Sequence, residues 1–251
     1  MNRSNNVLPP SSDNSRYWLA PWRHLQFSAL QFIAALSPRV HDASVRQRSA
    51  QVFCASAWQT LPGYLLASIL ISAVLSRIVA ISAESYGLSH LALEAIISVF
   101  VVEILPLVST LFVVMRAVPS AMQQLAAESW DNADILRLAL PYSVGNFLAV
   151  LVLTVIGGII SLLVAYLVVH GFTLWAWPAY ARLIGEVFDP ILSIAFLIKL
   201  CLFALAVGIA PTTLLLESRQ RDAGLREMRV MVRLLLLLVA IEGSFLLLRI
   251  D

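Results

Sequence analysis

The sequence predicts an all-α integral membrane protein with five transmembrane helices, preceded by an N-terminal interfacial amphipathic helix. Composition is the first reason. The chain is 60% hydrophobic and only 13% charged, with a mean hydropathy of +0.85, whereas soluble domains run at about 45–50% apolar and about 25% charged. A soluble core of this size could not hide so much apolar surface, but a bilayer removes it from water directly. The second reason is length. Five stretches, at 61–83, 91–116, 142–169, 189–216 and 230–248, each reach the roughly 20 residues needed to cross hydrocarbon. The third is pattern: continuous apolar runs exclude the alternation of a barrel, leaving helices as the structure that satisfies its own backbone.

Residues 1–15 are polar and carry Pro9-Pro10-Ser11-Ser12, so they read as a disordered tail rather than a cleavable signal, which needs an apolar core. Residues 16–60 read as an interfacial amphipathic helix and a link. Over 16–37, Trp18, Trp22, Leu25, Ala29, Phe32, Ile33 and Leu36 recur at spacings of three and four. Arg16 and Arg23 flank the tryptophans near the helix start, the arrangement of a helix lying at headgroup level. The alternative is an ordinary helix packed on a partner. The polar segment 38–60 is expected to become helical before the first span.

Arginine and lysine placement sets the orientation. Arg3, Arg16, Arg23, Arg39, Arg46 and Arg48 precede the first span, and the 84–90 loop has none. The 117–141 loop has Arg137, with Arg116 at its edge, and the 170–188 loop has Arg182. Arg219, Arg221, Arg226 and Arg229 follow in 217–229. Rich and poor segments alternate as five spans require, with the N-terminus cytoplasmic and the C-terminus outside.

The formal charge of +2 is too small to indicate a nucleic-acid partner. Cys54 and Cys201 read as small buried hydrophobes. His24, His41, His90 and His170 have no metal-ligand spacing and read as surface or interfacial residues. No phosphate-binding GxxxxGK[ST] loop, zinc cluster or nucleophile motif occurs, so no cofactor or metal is expected, and any ATP use falls to another subunit.

The informative residues are those a membrane should reject. Arg77, Glu103, Lys199 and Glu242 fall inside spans, at about 2.5–3.5 kcal/mol each on insertion scales. Glu94 and Arg116 lie nearer span ends, where they can snorkel. In the orientation above, the four inner charges lie between the midplane and the outer leaflet, and Lys199 is expected to pair with Glu103 or Glu242. Two readings stay open: a salt-bridge lock between helices, or the polar wall of a cavity for an amphipathic substrate's headgroup. Pro106 is expected to kink the second span beside Glu103. Gly157-Gly158 would allow close helix approach or bending. Ser120 reads as a helix cap, with Gln123 three residues on. Ala133, Ile135, Leu136, Leu138 and Ala139 read as a short loop helix bearing Glu128, Asp131 and Asp134. That loop is either a docking element or a solvated surface.

Val102-Glu103-Ile104-Leu105-Pro106-Leu107, followed by Met115-Arg116-Ala117-Val118-Pro119-Ser120-Ala121, resembles the MlaE/YrbE family of ABC-transporter permeases. The family pattern is close to R-E-L-G-P-L and then G-R-x-G-S-A. Glu103, Pro106, Leu107, Arg116, Ser120 and Ala121 match it; Val102 stands in place of its arginine. Leu61-Pro62 would open the first span, and Lys199 and Glu242 fall where the family often has lysine and aspartate. The family's ATPase-contacting loop is represented only loosely by the stretch from Ala126 to Leu138, and Gly224 alone remains of a Gly-rich stretch before the last span.

The resemblance covers roughly 45–250. It implies a lipid permease subunit of the bacterial inner membrane, moving phospholipid or a related lipid. It further implies a second permease protomer, a cytoplasmic ABC ATPase docked on a loop containing Glu128, Asp131, Asp134 and Arg137, and an MCE-domain periplasmic protein. Glu103, Lys199, Glu242 and Arg77 would then line or brace the lipid cavity. The alternative is a non-transporting scaffold or regulatory subunit with a degenerate permease fold.

Overall fold

A computed structural model describes residues 43–85, 94, 96–127, 135–216 and 223–250. The tail at 1–15 and the amphipathic helix expected over 16–37 lie outside the described residues. Among those described, no strand occurs, and five helices are long and apolar enough to cross a membrane. The chain is an all-α, multi-pass membrane protein.

Helix α1 runs over Ala43–Ser85. A π-helical segment over Ile96–Ile104 passes directly into α2, Leu105–Ala127. Helix α3 spans Ile135–His170. A single 3₁₀ turn, Leu174–Ala176, leads into the short α4, Trp177–Val187. Helices α5, Pro190–Leu216, and α6, Ala223–Ile250, complete the bundle.

Several boundaries differ from the sequence reading, and proline explains most of them. Leu61-Pro62 does not start a helix: α1 passes straight through Pro62. A single proline inside a long helix removes one hydrogen bond, which packing on both sides can outweigh. Pro119 and Pro141 are likewise internal to α2 and α3. Ser120 is therefore no N-cap; its hydroxyl donates back to the Ala117 carbonyl at 3.1 Å. The described part of the expected loop helix, from Ile135 onward, is the first turn of α3 rather than a separate element.

The second span is the most enclosed: 56% of its most apolar window is buried, against 17% for α1 and for α6. It touches every other span, while α1 packs most extensively on α3. One core joins all five, with Tyr64 from α1, Val113 from α2, Leu153 from α3, Ala204 from α5 and Leu234 from α6.

Along α1 the usual amphipathic logic is reversed. Thr60, Tyr64, Ser68, Ser72 and Ser76, each four residues apart, are buried, while Leu66, Leu70, Val74 and Ile78 are exposed. Lipid is as apolar as leucine, so apolar side chains gain nothing by facing inward, and small polar ones let helices approach. The glycines of α3 complete that approach. A Cβ on Gly157 would overlap the Tyr64 hydroxyl oxygen, and one on Gly145 would lie 2.8 Å from Val52 Cγ1. Of the two cysteines expected to be buried, Cys54 is exposed and Cys201 half-buried; both are apolar enough to face lipid.

Candidate functional site

Glu103 is the penultimate residue of the π-helical segment. The change of pitch falls at Ile104–Leu105, immediately before Pro106. Proline has no N–H to continue an α-helical ladder there, and π segments are rare enough to mark special positions. The expected break beside Glu103 thus takes the form of a change of helix type. Two hydroxyls of the next turn bond back to this point: the buried Pro106 carbonyl accepts from Ser109 Oγ at 2.9 Å and Thr110 Oγ1 at 2.6 Å.

Lys199 sits near the middle of α5's span, nine residues or about 14 Å from its start at Pro190. Its ammonium donates to Glu103 Oε2 and, at 2.8 Å, to Glu242 Oε1 of α6. The side chain of Lys199 is 2% exposed, and those of Glu103 and Glu242 are 12% and 17% exposed. A lysine lying between two carboxylates ties α2's span, α5 and α6 together at one depth. It also lies over the Phe203 ring, 5.9 Å from the centroid. Charge buried this deeply is tolerated only when paired and hydrogen-bonded. Two acids share one base, and Glu242 Oε2 is buried with no hydrogen-bond partner among the described residues.

The cluster does not include Arg77, which is exposed on α1. Sequence depth could not distinguish these positions, because depth says nothing about which way a helix face points.

Beside the cluster opens a cavity of about 480 Å³. Glu103 and Lys199 form part of its wall, with Glu94, Ser98, Glu186 and Asp189; Val102, Ile191, Leu192, Phe196 and Phe245 supply the apolar part. Glu186 and Asp189 come from the connection between α3 and α5, which had no helical signal strong enough to stand out from its neighbours. The structure folds it into α4 and seats it on an aromatic cluster. Tyr166 and Trp177 meet edge to face at 5.3 Å, and Tyr180 packs on both. Tyr180 donates to the Leu162 carbonyl at 2.8 Å, and burial pushes its hydroxyl well above the ordinary tyrosine range. It stays a neutral tether for α4 across physiological pH. His170 joins the same cluster, 5.3 Å from Tyr166 between ring centroids. Asp189 accepts from the Leu192 amide at 2.7 Å, capping the start of α5.

Toward the far end of the second span, Arg116 donates to Gln59 of α1. Both line a smaller cavity of about 200 Å³ with Ser56, Ser120 and Tyr142. Leu107 packs against the cluster of Phe203, Ala206 and Leu238. Glu128, Asp131 and Asp134, and the side chains of Ala121 and Arg137, lie outside the described residues. No group of metal-ligating side chains occurs among the described residues.

The family model described as Permease MlaE matches residues 50–247, from early in α1 to near the end of α6. No curated protein and no solved structure matches the chain. The match covers most of the sequence, and the chain belongs to the MlaE permease family.

Proposed function

We propose that this MlaE-family permease, a membrane subunit of an ABC transporter, moves phospholipid or a related lipid between the bacterial inner membrane and the cell envelope. The observation that carries the reading is the Glu103–Lys199–Glu242 cluster at the wall of a half-apolar cavity. A purely structural lock gains nothing from an adjoining space. A lipid-handling site needs both parts: apolar wall for the acyl and glycerol region, and fixed charge for the headgroup.

In this reading two protomers face each other with the substrate space between them. The N-terminus is cytoplasmic and the C-terminus periplasmic, as the arginine bias supports. The loop containing Glu128, Asp131, Asp134 and Arg137 docks a cytoplasmic ATPase, which hydrolyses ATP. An MCE-domain protein meets the periplasmic end. The chain itself makes and breaks no bonds in the substrate. The family's name supports the permease part; the lipid, its route and these partners are the reading offered here.

Purification of the full chain with its native partners, followed by identification of bound lipid, tests the proposal. An ATPase and stoichiometric lipid should co-purify. Co-purification of neither sinks it and favours a scaffold, the reading that the loosely matching loop after Ala126 would support. Lys199→Met should abolish lipid transport. Retained transport in that variant would remove the cluster from the mechanism.

A further inference from the structure

The charge on the cavity wall is one-sided. Among the described lining residues, Glu94, Glu103, Glu186 and Asp189 stand against Lys199 alone. That lysine is not available to a ligand phosphate: its side chain is 2% exposed, and both Glu103 and Glu242 hold its ammonium. Glu94, Glu186 and Asp189, by contrast, are exposed. Arg182 lies one turn before Glu186 on α4 and is exposed, but it is not among the lining residues and pairs with no acid among those described. A molecule entering the cavity therefore meets carboxylates first, then apolar wall, with the compensating cation sealed behind them.

Resting on the lipid-transport reading above, we infer that the cavity selects lipids with a cationic nitrogen on the headgroup and disfavours headgroups of purely negative charge. Two further features fit a lipid headgroup. The cavity, at about 480 Å³, is of the size that takes a small-molecule portion such as a headgroup. Its apolar residues, Val102, Leu192, Phe196 and Phe245 among them, fit the first carbons of a lipid rather than a free hydrated ion. An ammonium entering the cavity meets the exposed carboxylates of Glu94 and Glu186 favourably, whereas an unbalanced phosphate is repelled by them. The rim carboxylates focus the same preference outward, and ionic strength screens them more than it screens the buried cluster.

The test uses the full-length chain in mixed micelles whose lipids share acyl chains and differ only in headgroup. These are phosphoethanolamine, phosphocholine and phosphoglycerol, with retained lipid quantified by mass spectrometry. Phosphoethanolamine and phosphocholine lipids should be retained over phosphoglycerol by about 5-fold or more at low salt. Glu94→Gln with Glu186→Gln, both exposed, should bring that ratio toward one. Asp189 is left unchanged because it caps α5. Equal retention of all three headgroups by the unaltered chain, or a preference for phosphoglycerol, overturns this inference and leaves the lipid-transport reading standing. A ratio untouched by the double substitution overturns the role given to the rim. Retention of no lipid at all defeats the transport reading itself.

Discussion

Two regions of this protein bury polar groups in the membrane by opposite means. Between α1 and α3 the groups are small and neutral. Ser56 donates to Asn146 Oδ1 at 2.9 Å, Ser72 to the Ser161 carbonyl at 3.0 Å, and Tyr64 lies against Gly157. Among the second span, α5 and α6 the groups are ionisable and long. Lys199 reaches both Glu103 and Glu242 across helices that need not touch closely. The first arrangement draws two backbones together and leaves only the smaller cavity of about 200 Å³ at its Ser56 end. The second holds helices by their side chains and leaves the larger cavity of about 480 Å³ beside them. The neutral seam fastens closely, whereas the charged centre fastens with more space beside it.

Substitutions can break this contrast or sharpen it. The largest effect is expected at the charged centre. Lys199→Met strands two buried carboxylates, at about 3–5 kcal/mol of stability, read as a fall in the thermal midpoint of the detergent-solubilised protein. Neutralising all three, with Lys199→Met, Glu103→Gln and Glu242→Gln, should recover most of that stability without recovering transport. Recovery of both would make the centre dispensable, and recovery of neither would make it a fastening alone.

Next comes the seam. Gly157→Ala places a methyl against the fully buried Tyr64 and should destabilise by about 1–3 kcal/mol. Tyr64→Leu in the same chain should relieve part of the loss. If Gly157→Ala is silent in the same melting assay, the helices are not as close as described.

Smaller still, Ser72→Ala should cost about 0.6 kcal/mol, the average for hydrogen bonds between membrane helices. A loss several times larger would mean that single hydroxyls, not close backbone approach, hold α1 to α3. Arg77→Gln should change neither stability nor transport measurably, since Arg77 is exposed and outside the charged centre. A transport defect there would place a surface of α1 in the function.

Much of this was legible from residue order. The five spans announce themselves by length and hydropathy, and Glu103, Lys199 and Glu242 are conspicuous because a bilayer charges heavily for ions. The inward polar stripe of α1 was also visible, as hydroxyl residues at 60, 64, 68, 72 and 76, but it does not stand out to a search for apolar faces. The prolines misled. Pro62, Pro119 and Pro141 look like boundaries, yet each lies within a helix, because tertiary packing outweighs one missing hydrogen bond. The cavity wall from Glu186 and Asp189 had no signal at all, since it depends on α4 folding back over the bundle on its aromatic cluster.

By itself, then, the sequence determined that the chain must live in a membrane, that its spans are helices, and that the four ionisable residues inside them, Arg77 included, each need a reason to be there. Those are properties of single segments and their transfer from water to hydrocarbon, and no neighbour is required to state them. Which ions meet, why Arg77 stays apart, and where space remains between helices were decided only by the tertiary structure. They depend on the rotation of each helix about its axis and on close approach at Gly157, and both are set by packing between segments distant in the chain.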